Sequence, residues 1–509
     1  MSRSAKLILR ALIAFVIIVI LLTISECRAS GSTIHNLWDA LWYALITLTT
    51  VGYGDMSPVS PAGKFLGIVL ALCSVGILST MIGFVIELIR NQFLPKMMLR
   101  RSREAKWYVF NCSSREAGLL ARELLSEENS IAIFPAPMKA VNLPRGMSVV
   151  IDPELGDLKE LRKSAEGMTA FLMKDDLWAN YKEGLAAVEL SVECYCMADV
   201  ITDTLPKGLH LFEKSECLAR RYWQMHPLSE KEKSVVLIGC GRFGAAILER
   251  ALLTNVYTPD RIVYYHVFED SAGFEKLHPE LVKALASGGP GEDTLVFHRE
   301  EWADSIPLLK DADRIILCRD SESDNLRCME QLAAWFGIQD KVHVRLDKEM
   351  KGVSSFGESG KILTREYVMK NALNRQAVLM HEIYNRGSDN PVPFENLSCF
   401  LQQSNIAAAD HLLVKIRYLL GDESLTQITE ENCRKAYEVY LKTKDEKADL
   451  YQEMEHRRWV RFHRMHNWTY CPVRNNAKRQ HHLLLPYGEL DPAEQKKDAY
   501  AWEMLGMLY

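Results

Sequence analysis

Hydrophobic residues form two long runs near the start of the chain. Leu7–Ser25 is apolar except for Arg10, and Phe65–Ile86 contains 22 residues without a charge. A helix needs about 20 apolar residues to cross a bilayer, so the pattern predicts two transmembrane helices. A cleaved signal peptide is the alternative for the first run. That run is longer than a typical signal core, and no clear cleavage site follows it.

Charged residues around these runs predict the orientation in the membrane. Residues 90–106 carry six basic side chains against one acid, whereas residues 26–64 have no basic excess. Basic flanks stay on the cytoplasmic side. We therefore expect a cell-membrane protein, embedded in the lipid bilayer, with both termini cytoplasmic. Between the two runs, Asn36–Leu48 has the length and apolar character of a short re-entrant helix.

Beyond residue 106, short apolar runs alternate with helical stretches. Six runs precede Pro227 and six follow it: 107–111, 130–134, 148–152, 169–173, 194–198 and 208–212, then 235–239, 262–269, 294–298, 314–318, 342–346 and 361–365. Strands that alternate with helices predict parallel sheets with right-handed crossovers. Two such series predict two Rossmann-like domains that meet near Pro227, after a helix over Lys214–Met225.

Composition adds limits to this picture. The chain has 509 residues, of which 48% are hydrophobic and 25% charged, with a net charge of −5. The part beyond the membrane segments has room for two or three globular domains, and this balance gives no reason to expect a nucleic-acid polymer as partner. The twelve cysteines contain no CxxC pair. We expect reduced thiols and no metal site.

Residues 49–55 read Thr-Thr-Val-Gly-Tyr-Gly-Asp and resemble the selectivity filter of potassium channels. Such a filter replaces the hydration shell of K⁺ with rings of backbone carbonyl oxygens. Gly52 and Gly54 permit the positive φ angles that turn carbonyls inward. The predicted filter residues are Thr50, Val51, Gly52, Tyr53, Gly54 and Asp55. Four loops are needed to enclose an ion, so a homotetramer is expected.

The same resemblance suggests how the filter is supported and gated. Trp42 and Tyr43 lie where potassium channels keep an aromatic cuff, which implies that Trp42 bonds the carboxylate of Asp55. Interfacial anchoring is the alternative role for these aromatic rings. Gly76 and Gly83 are candidate bending points of the second helix, with helix packing through small residues as the alternative. No helix carries the arginine series of a voltage sensor, so gating is expected to come from the rest of the chain.

A glycine fingerprint in the second strand series predicts nucleotide binding. Gly239-Cys-Gly241-Arg-Phe-Gly244 follows the run 235–239 and opens a helix predicted over 242–255. Backbone N–H groups at such a helix start can hold a phosphate, and an acid at the end of the next strand can accept the ribose hydroxyls. The candidate residues are Gly239, Gly241, Arg242, Gly244 and Glu269.

The first series lacks this fingerprint. Asn111, Ser113 and Glu116 stand where the three glycines would be. Side chains there obstruct a phosphate, and Glu116 adds a negative charge. We therefore expect a structural partner without nucleotide.

A two-helix pore followed by tandem Rossmann units is similar to ligand-gated potassium channels with RCK (TrkA-like) regulatory domains. In that family the domains form a ring below the pore, and ligand binding pulls on the pore helices through a linker, here Ile89–Lys106. The expected fold is a membrane α-helical pore, cytoplasmic α/β tandem Rossmann-like domains and a small mainly α C-terminal domain. The predicted domains are the pore (1–95), a degenerate first RCK domain (96–228), a second RCK domain (229–387), a helical connector (388–445) and a C-terminal domain (446–509).

The C-terminal domain resembles the RyR repeat, the module named for ryanodine receptors. The match rests on Glu455-His-Arg-Arg-Trp459, Trp468-Thr-Tyr470 and Leu485-Pro-Tyr487. Aromatic faces with nearby basic residues suit an adenine base and its phosphates. The candidate ligand residues are Trp459, Trp468, Tyr470, Lys478 and Tyr487. The alternative is that the aromatic side chains form the core and the basic side chains a solvated face.

Together these features predict a tetrameric potassium channel that is gated by a cytosolic nucleotide-like ligand, an adenine nucleotide or NAD(H). Two alternatives stay open at this point. One is a membrane-anchored NAD-dependent oxidoreductase, although no acid–base constellation accompanies the glycine loop and no catalytic residue is predicted. The other is a nucleotide-sensing scaffold whose pore does not conduct. His456, His463 and His466 approach one helix face, but no cysteine or HExxH partner favours zinc.

Overall fold

The computed structural model describes residues 3–89, 93–126, 129–135, 149–152, 158–286, 288–289 and 291–508. The chain divides into two compact units. The smaller unit comprises 1–105, 133–138 and 149–166, and the larger unit comprises 106–132, 139–148 and 167–509. Ser148, at the start of one predicted strand, and linker residues 90–92 lie outside the described residues.

The helices and strands follow the chain in this order. The helices are α1 (Arg3–Glu26), α2 (Leu37–Leu48), α3 (Pro61–Leu88), α4 (Leu94–Arg101), α5 (Arg115–Leu124), α6 (Leu158–Ser164), α7 (Leu177–Glu189), α8 (Lys214–Met225), α9 (Arg242–Thr254), α10 (Ala272–Leu277), α11 (Pro279–Ala286), α12 (Ile306–Asp311), α13 (Glu322–Phe336), α14 (Ser359–Ile362), α15 (Arg365–Val368), α16 (Arg375–Asn385), α17 (Cys399–Leu420), α18 (Glu430–Thr443), α19 (Ala448–Met465), α20 (Pro492–Gln495) and α21 (Tyr500–Glu503). The strands are β1 (Lys106–Phe110), β2 (Ser130–Pro135), β3 (Val149–Asp152), β4 (Gly167–Leu172), β5 (Glu193–Met197), β6 (Leu209–Phe212), β7 (Ser234–Ile238), β8 (Tyr264–Phe268), β9 (Thr294–His298), β10 (Arg314–Leu317), β11 (Val342–Arg345), β12 (Ser354–Phe356), β13 (Thr469–Tyr470) and β14 (Gln480–His481).

The smaller unit is built around α1, α2 and α3. The Asn36 side chain caps α2 by accepting hydrogen bonds from two backbone N–H groups, and Ser60 caps α3 ahead of Pro61. Both are favoured signals for a helix start. Leu22, Ala44 and other buried apolar residues from the three helices form one cluster. Among the residues that the structure describes, no helix is both long enough and apolar enough to span a membrane.

The second sheet of the larger unit has the strand order β12-β11-β10-β7-β8-β9, with every neighbouring pair parallel. This is the order of a dinucleotide-binding Rossmann sheet. Leu237 of the central strand β7 lies opposite Val267 on one side and Ile316 on the other. The prediction of a parallel α/β sheet in this region is confirmed.

The strand predicted over 361–365 is wrong. The sixth strand is β12, a three-residue strand that pairs with β11 from His343↔Ser354 onward. Ile362 ends the short helix α14, and Leu363 follows it; both side chains are buried. Apolar residues in a buried turn of helix produce the same run as a strand, which explains the error.

In the first sheet, β1, β4, β5 and β6 are neighbours in that order within the larger unit, and their pairs are parallel. The register runs from Val109↔Ala170 through Ala170↔Cys194 to Cys194↔Leu209. The predicted runs there fall on strands. The cysteines that the structure describes are free thiols, and the reduced state expected from the sequence stays a prediction.

The C-terminal helices share their core with the second sheet. One continuous cluster of buried side chains includes Leu237 on β7, Leu412 on α17, Phe462 on α19 and Trp502 on α21. The region after residue 388 therefore packs as part of the larger unit. The boundaries at 388 and 446 stay predictions.

Candidate functional site

The loop after α2 carries the filter motif in an irregular backbone. Thr50, Gly52 and Gly54 have positive φ angles of 61°, 58° and 74°, and the amide groups of Val51 and Gly52 both donate to the carbonyl of Ile46. A loop whose successive carbonyl groups face one side requires residues with left-handed backbone angles at alternate positions. The sequence anticipated this at both glycines, but not at Thr50.

Aromatic side chains of α2 support this loop. The indole Nε1 of Trp42 donates a hydrogen bond to the Asp55 carboxylate at 3.0 Å, and the Trp42 ring stacks on Tyr53 with 6.1 Å between centroids. This is the bond that the resemblance implied. Tyr43 instead lies against α3, where a Cβ atom at Gly67 would come within 2.7 Å of its hydroxyl. The cuff function of both residues stays a prediction.

A buried carboxylate that the sequence reading missed also holds this region. Glu26 is fully buried at the end of α1. It accepts hydrogen bonds from the backbone N–H groups of Val59 and Ser60, at 3.0 Å each, and from the hydroxyls of Ser32 and Ser60. A Cβ atom at Gly63 would lie 2.0 Å from its Oε1. Glu26 therefore ties the end of α1 to the start of α3, and an acid directly after an apolar run was the available signal.

The two candidate bending points lie inside α3. The helix runs from Pro61 to Leu88, with Gly76 and Gly83 in its interior. Both glycines are exposed in the single chain, and a Cβ atom at either would meet nothing within 4 Å. Their role as hinges stays a prediction.

The glycine loop of the second Rossmann sheet has the close packing that its motif predicts. Gly239 has a φ angle of 93°. A Cβ atom at Gly244 would lie 1.8 Å from the Gly239 carbonyl oxygen, which only a glycine can tolerate. Gly241 precedes α9 and offers no side chain to its first turn. The backbone therefore leaves the start of α9 open to an acceptor from elsewhere.

An internal carboxylate takes that place. Asp320, which lies after β10, accepts hydrogen bonds from the backbone N–H groups of Arg242 and Phe243, at 3.3 and 3.2 Å. A Cβ atom at Gly241 would lie 2.7 Å from the same carboxylate. The Arg242 guanidinium is paired with Glu213. A nucleotide phosphate fits this loop only when Asp320 moves away.

Glu269, the acid expected to bind the ribose, is already bonded to another side chain. Glu269 follows β8 with a φ angle of 63°, and both of its carboxylate oxygens accept from Arg319 at 2.7 Å. Burial lowers the pKa of Arg319, but its hydrogen bond to Glu269 outweighs burial and the pKa is raised. The sequence reading missed Asp320 and Arg319 because the motif gives no signal for residues contributed by a different strand.

The first loop is filled by its own side chains. The Asn111 side chain donates to Asn180 and Glu183 and accepts from the Met173 amide. Glu116 forms an ion pair with Lys214 at 3.0 Å. Burial raises the pKa of Glu116, but the Lys214 charge outweighs it and the pKa is lowered. The expectation of a structural partner without nucleotide stays a prediction.

The candidate ligand residues of the C-terminal region separate into two groups. Trp468, at 6% exposure, packs with Val460 and Leu484, and Tyr487 is also buried. Trp459 is partly buried, whereas Tyr470, at 49%, and Lys478 are exposed. The core interpretation holds for Trp468 and Tyr487. The other three residues stay candidates for ligand contact.

The neighbouring arginines do not form a solvated basic face. Arg457, Arg458 and Arg461 are all buried on α19. Arg458 pairs with Glu455, and Arg461 bonds Asp293 at 2.5 Å and Glu292 at 3.1 Å. The alternative in which these side chains form a solvated face is therefore wrong. Arg458 and Arg461 form ion pairs inside the protein instead. Arg461 connects α19 to the chain segment just before β9.

The three histidines are tied to backbone carbonyl groups. His456 bonds the carbonyl of Leu485, and His463 bonds that of Trp459 through Nδ1. His466 bonds the carbonyl of Phe462. Among the described residues, no group of three or more His, Cys, Asp or Glu side chains could hold a metal ion.

Comparisons with known proteins concern mainly the N-terminal segment. Residues 7–91 match the family model described as an ion channel. The voltage-gated potassium channel of Aeropyrum pernix is 45% identical over 62 residues, which are 12% of this chain and 21% of that protein. The calcium-gated potassium channel TvoK of Thermoplasma volcanium is 27% identical over 111 residues, 20% and 32% of the two chains. The chain thus spans only a fifth to a third of these relatives.

Solved structures give matches of low overall similarity. The pore module of a voltage-gated K⁺ channel is 32% identical, covering 17% of this chain and 93% of that one, with a TM-score of 0.15. The GsuK structure bound to ADP is 15% identical, covering 72% of this chain and all of that one, with a TM-score of 0.30. The family match places the N-terminal segment in an ion channel family. The match covers residues 7–91 only, and it favours an ion channel over the oxidoreductase alternative.

Proposed function

We propose that four copies of this chain form a potassium-selective channel in the cell membrane. In this proposal the apolar runs Leu7–Ser25 and Phe65–Ile86 of the sequence cross the bilayer, both termini are cytoplasmic, and residues 50–55 form one quarter of the filter. The uncharged run Phe65–Ile86 and the ion channel match over residues 7–91 support it. The single observation that carries it is the loop with alternate positive φ angles, braced by the Trp42–Asp55 hydrogen bond.

The filter proposal follows from ion chemistry. A potassium ion leaves its hydration shell when main-chain oxygens from several chains replace water at matching positions. One loop supplies a single set of oxygens, so the site is complete only in a cyclic homotetramer. Asp55 is held by Trp42, which restrains the outer end of the loop.

Regulation is assigned to a cytosolic ligand at the second Rossmann sheet. The ligand is nucleotide-like, an adenine nucleotide or NAD(H), and its phosphate would take the place of the Asp320 carboxylate at the start of α9. The close-packed glycines support this assignment, since the loop itself places no side chain over the N–H groups that Asp320 now occupies. Trp459, Tyr470 and Lys478 form a second candidate contact for such a ligand in the C-terminal region. Gating then requires only that the ligand bind the open and closed states with different affinity.

Ion flux through the reconstituted protein tests the proposal. Full-length protein in liposomes is expected to pass K⁺ in preference to Na⁺, and Gly52→Ala is expected to lose that preference because alanine disfavours the φ of 58°. Gly31→Ala is the matched control, because Gly31 also has a positive φ, of 86°, but lies outside the filter. Absence of flux in the wild type would favour the non-conducting scaffold. Equal selectivity in both variants would remove the filter assignment.

A further inference from the structure

A cavity of about 280 Å³ lies in the larger unit, and none of its lining residues belongs to the loop 239–244 or to its equivalent 111–116. It is enclosed by α8, α16 and α17, with contributions from the end of α9 and from residues 427–428. Ligand sites usually have volumes of roughly 300–1,000 Å³. This cavity therefore suits a ligand smaller than a dinucleotide.

Arg417 contributes a buried positive charge to the lining of the cavity. The residue is 7% exposed, and its Nε and Nη2 donate to the carbonyl oxygens of Leu425 and Gln224 at 2.8 Å each. Within the described part of the chain, no carboxylate forms an ion pair with it. Burial lowers the pKa of Arg417 to about 10. The nearby acids Asp422 and Glu423 oppose this shift without forming an ion pair. A buried charge is costly when close partners do not replace its lost hydration.

Several other buried arginines of the same unit have a carboxylate partner, whereas Arg417, like Arg345 and Arg457, donates only to backbone carbonyl groups. Arg461 has Asp293 as its partner, and Arg314 has Glu232 at 2.7 Å. Arg220, which also lines the cavity, is bound by both oxygens of Asp410. Arg417 therefore retains a positive charge that an anion inside the cavity could satisfy.

The remaining lining supplies further polar groups. Three arginines and one aspartate line the cavity: Arg220, Arg375, Arg417 and Asp410. Their formal charges leave an excess of two positive charges. Arg375 lies at the rim with 67% side-chain exposure, 3.5 Å from the exposed carboxylate of Glu366. The buried Gln376 Oε1 has no hydrogen-bond partner. An anion with two negative charges and a hydroxyl group beside them would match this lining.

We propose that this cavity binds a small phosphate-bearing metabolite, a phosphomonoester, as a second ligand site separate from the glycine loop. Arg417 is the buried charge partner and Arg375 the contact at the rim, since guanidinium groups bind phosphate oxygens through paired N–H donors. Gln376 receives a hydroxyl group of the ligand. Asp410 does not repel the phosphate strongly, because Arg220 neutralises it.

Thermal stability of the full-length protein in detergent tests this site. The probes are glycerol 3-phosphate and, at equal ionic strength, inorganic phosphate and succinate. A ligand that binds only the folded state raises the melting temperature in a saturable way. We expect such a rise with glycerol 3-phosphate, a smaller one with inorganic phosphate, and none with succinate. Arg417→Gln should weaken the glycerol 3-phosphate response at least tenfold. Absence of a saturable response to either phosphate probe, or equal binding of succinate, would overturn the proposal.

Two controls separate charge loss from general damage. Arg261→Gln is matched, because Arg261 also donates to backbone carbonyl groups, those of Leu228 and Ser229, but lies outside the cavity; its response should equal that of the wild type. Arg375→Gln at the exposed rim should weaken binding several-fold without affecting folding, so the test remains decisive if Arg417→Gln does not fold. An unchanged response in Arg375→Gln and Arg417→Gln would overturn the site.

A third variant keeps this site distinct from the nucleotide site of the proposed function. Gly241→Asp blocks the glycine loop, where a Cβ atom already approaches Asp320. The glycerol 3-phosphate response should survive in this variant. Its loss there, with retention in Arg417→Gln, would place the phosphate at the glycine loop and remove the cavity as a site.

Discussion

The two Rossmann-like sheets of the larger unit differ at one equivalent point, the loop between the first strand and the first helix. In the first sheet, the Ser114 side chain caps α5 by accepting from the Ala117 amide. In the second sheet, no side chain of the loop caps α9, and Asp320 provides the acceptor from 78 residues further along the chain.

The two caps differ in whether a ligand could replace them: the Ser114 cap of α5 is a permanent part of the fold, and the Asp320 cap of α9 is replaceable. A cap encoded next to its helix is lost only when the helix start itself unfolds. Asp320 instead comes from a different strand, and its hydrogen bonds to Arg242 and Phe243 are long, at 3.3 and 3.2 Å. A phosphate with greater negative charge could replace it at the same N–H groups. The second loop can therefore respond to a ligand, whereas the first is satisfied without one.

The largest expected effect comes from adding a carboxylate to each loop. Gly241→Asp should weaken nucleotide binding by at least about 100-fold, because a second negative charge then faces the phosphate. Ser113→Asp places the same side chain at the equivalent position of the first loop and should leave binding unchanged. Thermal shift of the full-length protein with ADP and with NAD measures both. Equal loss in the two variants would contradict the comparison.

Removing the competing charge should have the opposite effect. Asp320→Asn retains an acceptor for the α9 amide groups but removes the negative charge, so nucleotide affinity is expected to rise by about tenfold. Asp324→Asn, on the exposed start of α13, is the matched control and should not change affinity. Calorimetric titration of the purified protein gives both values. A lower affinity in Asp320→Asn would show that the carboxylate supports the ligand instead of competing with it.

The pH dependence of stability gives the smallest and most local test. Burial lowers the pKa of His343, on β11 of the second sheet, to about 3. An unfolded histidine has a pKa near 6.5, so acidification below that value protonates the unfolded state first. The stabilisation is complete above pH 6.5 and falls by about 1.4 kcal/mol per pH unit below it. Glu116 of the first sheet has a lowered pKa, so its contribution is lost only below about pH 4.5.

Unfolding midpoints between pH 7 and 5 measure this contrast. The melting temperature should fall with acidification, and His343→Gln should reduce the slope. Burial also lowers the pKa of His411 and His463 to about 3, so part of the slope should persist in that variant. A flat profile in the wild type would contradict the assignment of His343 as a buried neutral group.

Sequence patterns predicted the strands well where apolar runs form the sheet interior. They failed at β12, because Ser354–Phe356 is a short and largely polar edge strand. The buried Ile362 and Leu363 belong to no strand, but their apolar run has the pattern expected of one. The filter motif and glycine loop were predicted because their residues are contiguous in the chain. Asp320 and Arg417 were missed because each acts on groups that only the folded chain brings near. Periodicity carries no information about such partners.

The buried pair of Arg461 and Asp293 determines how the polypeptide can be shortened. Both side chains are 2% exposed. Removing the last helices would therefore leave the Asp293 carboxylate buried in the remaining protein without a partner of opposite charge. A fragment that stops ahead of α19 should therefore misfold or aggregate, even though it retains every strand of both sheets. For the same reason, the C-terminal region should be difficult to exchange with that of another protein unless the replacement also brings a cation for Asp293.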